Sequence, residues 1–168
     1  MVQLKAILDA SPIIAFFDEL EMPDILLLTC RLGYELLVPF HVQRFDIVKE
    51  PSKTMLAKCI KDGVISTLPP LDPARVEDFM NAHPSLGAGE SEVILHAIDL
   101  RTAEIDVVCV LDERTARRAA NQLGLPLVGT IGLISALSKA NLIDVFKAGQ
   151  LKNRLEDSKF RIDRRLLR

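Results

Sequence analysis

Three acids stand where a metal ion could use them. Asp9 ends the apolar run Ala6–Leu8, Asp112 ends the strongest β-branched run, Ile105–Leu111, and Glu90 follows Gly87-Ala88-Gly89 in the first turn of an expected helix. Glu113 comes directly after Asp112. Carboxylates gathered in one place repel each other, and without a cation at least one is expected to be partly protonated at neutral pH. A hard divalent cation such as Mg²⁺ or Mn²⁺ removes that cost and takes oxygen ligands. Such an ion polarises a phosphodiester, activates a water and stabilises the leaving oxygen. Ser11 and Thr130 bring hydroxyls near the same edge. They could orient an aspartate or a metal's water, and helix capping explains each equally well.

The elements that must position these groups alternate. Five short β-branched or apolar runs read as strands: 6–8, 36–38, 64–68, 105–111 and 125–128. Between them lie helical stretches: Ile13–Leu20 behind a Ser11-Pro12 start, Ile25–Leu32 closed by Gly33, His41–Val48, Lys53–Lys61, Ala74–Asn81, Glu90 to about Leu100, Arg114–Leu123 and Ile131–Ala140. Residues 144–168 read as a helical, basic extension of a single domain spanning 1–168. Strands alternating with helices predict an α/β fold with a mainly parallel sheet of about five strands. In a parallel sheet all carboxyl ends lie on one edge. If the first and fourth strands are neighbours where the strand order reverses, Asp9 and Asp112 face each other across a crevice. Strands about 4.8 Å apart would let the two share one divalent cation. On the helix from Glu90, spacing puts Glu90, Val93, Ile94 and Ala97 on one face and Glu92, His96 and Asp99 on another. An acid in that first turn is also favoured by the helix dipole, whatever its function.

Composition narrows the classes. The 168 residues are 49% hydrophobic, so the chain can build a core and is not disordered. Aromatics are 5% with no Trp, which argues against single-strand binding on an aromatic sheet. No apolar run reaches membrane-spanning length, and the chain enters a strand at once, so neither a membrane span nor a signal peptide is expected. Cys30, Cys59 and Cys109 are scattered and cannot all pair, which points to a reducing cytoplasm. The net charge of −2 hides an asymmetry: residues 147–168 carry eight Lys/Arg against three Asp/Glu, a +5 tail on a −7 remainder. An acidic body with a basic tail suits a protein that holds a cation and meets a polyanion. A solvated helix face bearing Arg161, Arg164, Arg165 and Arg168 explains the tail as well.

Other chemistries fail on spacing. There is no phosphate loop ending in Lys-Ser/Thr, and Leu86-Gly87-Ala88-Gly89 follows no strand and lacks the third glycine of a dinucleotide fingerprint. No Gly-x-Ser-x-Gly elbow is present. No histidine falls in a ligand motif; His96 could pair with Glu92 four residues before it, and otherwise reads as an ordinary surface or interface residue.

The whole pattern resembles the PIN domain, in particular a prokaryotic PIN subfamily related to VapC-type toxins. The matching stretches are Leu8-Asp9-Ala10-Ser11-Pro12, Leu86-Gly87-Ala88-Gly89-Glu90-Ser91-Glu92, Leu111-Asp112-Glu113-Arg114-Thr115-Ala116-Arg117 and Leu125-Pro126-Leu127-Val128-Gly129-Thr130. Their order and spacing cover most of the chain. Each is weak alone, and together they are fairly specific. The resemblance implies a three-layer α/β/α sandwich and a Mg²⁺- or Mn²⁺-dependent ribonuclease. It implies metal-binding roles for Asp9, Glu90 and Asp112 with Glu113 as a fourth, an RNA substrate, a homodimer and, in toxin members, an antitoxin partner. One departure stands out. The subfamily runs Val-Pro, two residues, Val, two residues, then Glu. Here the run is Val38-Pro39-Phe40-His41-Val42-Gln43-Arg44-Phe45-Asp46, with Phe45 at the glutamate's place. One residue along an α-helix is a turn of about 100°, so Asp46 is not expected to project to the same point. Two classes therefore stand open: a metal-dependent endoribonuclease, including the toxin of a toxin–antitoxin pair, and a PIN-fold RNA-binding or interaction module without useful catalysis.

Overall fold

The computed structural model describes residues 3–158; the arginines from 161 onward, and with them most of the basic tail, lie outside the described residues. Five parallel strands form one sheet in the order β3-β2-β1-β4-β5. They are β1 (Leu4–Leu8), β2 (Tyr34–Pro39), β3 (Ile65–Leu68), β4 (Val107–Val110) and β5 (Leu127–Val128). β1 is central. The chain steps from it to β2 and β3 on one side, then crosses back to β4 and β5 on the other, so the order reverses between β1 and β4. Leu8 pairs with Val110 there, which confirms the expected neighbours.

Strand geometry sends successive side chains to opposite faces, and both faces are buried. Ala6, Leu8, Leu36, Val38, Val108 and Val110 join one core with Phe16, Phe17, Leu26, Leu56, Ile134 and Leu151. Ile7, Leu37, Val107, Cys109 and Leu111 join the other with Val93, Ile94, Ala97, Ala116 and Ala120. The first core is covered by α1 (Ala10–Ile14), α2 (Pro23–Leu27), α3 (Ser52–Lys61), α7 (Thr130–Lys139) and α8 (Val145–Asp157). The second is covered by α4 (Pro73–Ala82), α5 (Ala88–Thr102) and α6 (Arg114–Gln122). The result is the three-layer α/β/α sandwich. Among the described residues no helix is long and apolar enough to cross a membrane.

Three local details differ from the reading by residue spacing. α1 starts at Ala10 with Asp9 as its N-cap, so Ser11 is an interior helical residue rather than the cap. α1 runs into a π-helical turn, Ala15–Glu19, closed by Leu20 N–H on the Ala15 carbonyl at 2.9 Å. A second π-helical turn, Val42–Asp46, occupies the expected helix after β2 and is closed by Ile47 N–H on the Val42 carbonyl at 3.0 Å. Finally, α5 has no polar face over its first ten residues. Glu92 and His96 are only 5% and 6% exposed, so His96 is a core residue rather than a surface one. Its Nε2 has no hydrogen-bond partner among the described residues. Burial holds its pKa below the ordinary value, against the opposing pull of Glu92 and Asp99. The helix sits between the sheet and α4, and Arg75 of α4 covers its outer acid through a two-pronged bond to Asp99 at 2.7 and 2.8 Å.

Candidate active site

Asp9 leaves the end of β1 in extended conformation, and its N–H adds one more rung to the β1–β4 ladder on the Val110 carbonyl at 3.2 Å. That rung holds the carboxylate at the carboxyl edge, 4% exposed. Burial pushes its pKa up to about 8, and the charges of Glu90, Asp46 and Asp112 add to the shift while the Ala10 N–H opposes it. An acid in that state is neutral at pH 7 unless a cation comes to it.

Asp112 lies across the reversal point, 1% exposed. Its Oδ1 accepts the Thr130 backbone N–H at 2.7 Å and its Oδ2 accepts the Thr130 hydroxyl at 2.6 Å. Thr130 is fully buried at the first turn of α7. Burial raises the Asp112 pKa, and the two Thr130 bonds and the Arg117 charge lower it. Arg117 reaches back from α6 to donate to the Leu111 carbonyl at 2.8 Å. Room for this packing exists because residue 129 is glycine: a Cβ there would stand 2.9 Å from both Arg117 Nη1 and Asp112 Oδ1.

Glu90, third residue of the helix, folds back onto its own helix start and accepts the Gly87 N–H at 2.7 Å, the half of a capping box that a glycine N-cap allows. The helix-end explanation for this acid is therefore real, and it coexists with a second one. Burial and a hydrogen bond shared with Glu113 raise the Glu90 pKa to about 7, with the Gly87 N–H opposing and the Glu113 and Asp46 charges adding. Glu113 is half-buried and also accepts the Thr115 hydroxyl at 2.9 Å. Ser11 lies half-buried in the first turn of α1 with no side-chain hydrogen bond among the described residues.

Asp46 also reaches this edge, and the π-helical turn is the reason. A π turn takes more residues than an α turn, so each side chain is rotated less from its predecessor. Phe45 points out, 58% exposed, against the rings of Phe40 and His41. Asp46 turns inward. Its Oδ2 lies over Gly89, where an added Cβ would overlap it, and its charge acts on both Asp9 and Glu90. Burial raises its own pKa, with His41 opposing and Glu92 adding; His41 Nε2 stands 3.7 Å from Asp46 Oδ1. Glu92 ties the turn down by accepting the His41 N–H at 2.9 Å. Sequence spacing also missed Glu92 and Arg117. The one signal for Arg117 was its place four residues after Glu113, which returns it to the same side of α6.

The edge thus brings together Asp9, Asp46, Glu90, Asp112 and Glu113. Among the described residues no three His, Cys, Asp or Glu side chains converge in metal-holding geometry; Asp112 and Glu90 are turned onto Thr130 and Gly87 instead. The donor chemistry nevertheless fits a hard divalent cation. Every acid present offers oxygen, no thiol intrudes, and the cluster is charged only against its own repulsion. Asp9, Glu90 and Asp112, with Glu113 and Asp46 beside them, are the residues that would hold such an ion.

A family model described as a PIN domain matches residues 5–168. No curated protein matches the chain.

Proposed function

The chain belongs to the PIN-domain family, whose members are generally nucleases, and from that premise we propose that it is a Mg²⁺- or Mn²⁺-dependent endoribonuclease. The observation that carries the reading is the placing of Asp9: a buried carboxyl held at the strand edge by its rung to Val110, with Glu90, Asp46 and Asp112 close enough to act on it. A fold gains no stability from such a cluster, and a cation is the partner that makes it useful. The bound ion would polarise the phosphodiester and activate a water for attack at phosphorus.

The chain's own residues divide the remaining work. Asp9, Glu90 and Asp112 present oxygens to the ion, joined by Glu113 and Asp46. Thr130 fixes the plane of the Asp112 carboxylate through two bonds, and Arg117 balances its charge. Burial and the hydrogen bond with Glu113 hold the Glu90 pKa up at about 7. Ser11 borders the edge as a hydroxyl available to a water. The resemblance to VapC-type toxins extends the proposal to a homodimer that an antitoxin holds in check. The competing reading, a PIN-fold module without catalysis, rests on Phe45 and the modest net charge; Asp46 on the inward side of the π turn supports the catalytic one.

Calorimetry with Mn²⁺ on the parent and on Asp9→Asn, followed by cleavage of single-stranded RNA, tests this. Binding and cleavage in the parent, both lost in Asp9→Asn, are expected. A parent that binds no Mn²⁺ at millimolar concentration overturns the proposal in favour of the module.

A further inference from the structure

Next to the acid edge, on the other side of the π-helical turn, lies a cavity of about 470 Å³. Ile47, Val48 and Leu56 give it an apolar lining, and Gln43, Arg44 and Lys53 give it a polar one. No acid lines it. That contrasts with a body whose remainder carries −7. Neither Arg44 nor Lys53 has a carboxylate partner among the described residues, where the ion pairs are Lys5–Glu35, His41–Asp46, Lys58–Asp62 and Arg75–Asp99. The Gln43 amide is held in place by the Thr67 hydroxyl on its Oε1 at 3.0 Å, which leaves its N–H groups as donors. Arg44 lines the cavity and Asp46, two residues on, lies over Gly89. Ile47 and Val48 are shared with an adjoining cleft that Asp46 lines, and Phe45, between Arg44 and Asp46 in sequence, projects into solvent. Its ring is braced edge-on by Phe40 at 6.3 Å and by the His41 ring at 4.9 Å.

Two unpaired cations, a fixed amide donor, an apolar lining and an exposed, braced ring make a particular set. Cations and amide suit a phosphodiester. The ring suits the face of an unpaired base, and stacking there is sequence-tolerant. The volume falls in the range of small-ligand sites, roughly 300–1,000 Å³. We propose that Arg44, Lys53 and Gln43, with Phe45 at their side, form a subsite for the nucleotide of single-stranded RNA that adjoins the cleaved phosphodiester. The proposal rests on the ribonuclease reading for its ligand, and it adds which part of the strand binds and where. A paired strand offers no free base face to Phe45, so the subsite favours unpaired RNA.

The test is polarisation of a labelled single-stranded oligoribonucleotide on the full chain in EDTA, where cleavage cannot intervene. Phe45→Ala is expected to weaken binding about 5- to 150-fold. Arg44→Gln and Lys53→Gln are each expected to lower the slope of log K against log salt by about 0.7. Mn²⁺ binding should stay at the parent level in all three. RNA affinity and salt slope unchanged in the variants overturn the subsite. So does a change in sedimentation of the variants with RNA binding intact, which would make the surface a protein interface. A parent that binds RNA with the expected variant losses, yet takes no Mn²⁺, keeps the subsite and sinks the metal-dependent reading. A parent that takes Mn²⁺ and binds no RNA sinks the subsite alone.

Discussion

Asp9 and Asp112 end neighbouring strands at the same edge and are nearly equally buried, but what answers their charge differs. Asp112 has two donors from Thr130 and a guanidinium beside it. Asp9 has the Ala10 N–H against three acids. One half of the site is a carboxylate whose burial raises its pKa but is partly answered by two hydrogen bonds and a guanidinium. The other half is a carboxyl that the fold tolerates only by keeping it protonated. Burial alone marks neither as functional. The imbalance between them does, because a group that costs stability and is retained in such a place is a functional candidate.

The largest expected effect sharpens that contrast. Asp9→Asn should reduce RNA cleavage by about 10³-fold or more, since the ion's stabilisation of the transition state is worth several kcal/mol. In the metal-free protein the same change should raise stability by roughly 2–4 kcal/mol at pH 8, because it removes an acid that the fold must hold neutral. Asp112→Ala should also abolish cleavage, but with the opposite sign for the fold. It strands the buried Thr130 N–H and hydroxyl, a loss of about 2–3 kcal/mol. Urea denaturation in EDTA reads both. Equal destabilisation by the two changes would erase the distinction drawn between the halves.

The pH dependence breaks the comparison from another side. Asp9 is raised from 3.8 to about 8 and Glu90 from 4.5 to about 7. Their folded pKa values lie above the unfolded ones, so the fold holds protons that the unfolded chain releases. The stability these groups contribute is fully present below about pH 4 and is lost as pH rises to about 8. Metal-free Tm should therefore fall over that window, and the fall should shrink in Asp9→Asn. Mn²⁺ affinity should run the other way, rising with pH as the ion displaces these protons. A flat difference between parent and Asp9→Asn across the window would place Asp9 among ordinary exposed carboxylates.

Much of this was legible in the sequence because it depends on alternation. Strand runs ending in Asp9 and Asp112, with helices between, dictate a parallel sheet whose edge gathers both, and the order reversal at β1–β4 needed only right-handed connections. What escaped depends on departures from regular period. Asp46 escapes residue spacing because an α-helical rotation does not hold through the π turn at Val42–Asp46. Spacing puts Glu92 and His96 on a different face of α5 from Glu90, yet both are buried, because the helix is packed by the sheet on one side and by α4 and the turn at His41 on the other. Spacing within one helix carries no information about what a distant element lays against it. Gly89 shows how tightly Asp46 is fitted. Gly89→Ala should cost about 1–3 kcal/mol by overpacking and lower Mn²⁺ affinity by moving that acid, both read by calorimetry. Unchanged Mn²⁺ affinity in a folded Gly89→Ala protein would exclude Asp46 from the metal's surroundings.

The smallest expected effect isolates what orients Asp112 from what binds. Thr130→Val keeps the shape and the backbone N–H but deletes the hydroxyl that donates to Oδ2 at 2.6 Å. Leaving that oxygen short of a donor should cost about 1–2 kcal/mol, while Thr130→Ser should cost less because it keeps the donor. A purely structural role ends there. If the hydroxyl also sets the plane in which Asp112 meets the ion, Thr130→Val should weaken Mn²⁺ about 10- to 100-fold and Thr130→Ser should restore most of it. The raised Asp112 pKa should climb further in Thr130→Val, since one of the two bonds that lower it is gone. Proton release on Mn²⁺ binding should then increase at the pH where Asp112 titrates. A stability loss with metal affinity and proton release at parental values would make Thr130 a helix-end residue that happens to touch an acid, and Asp112 would then be held by its burial and by Arg117.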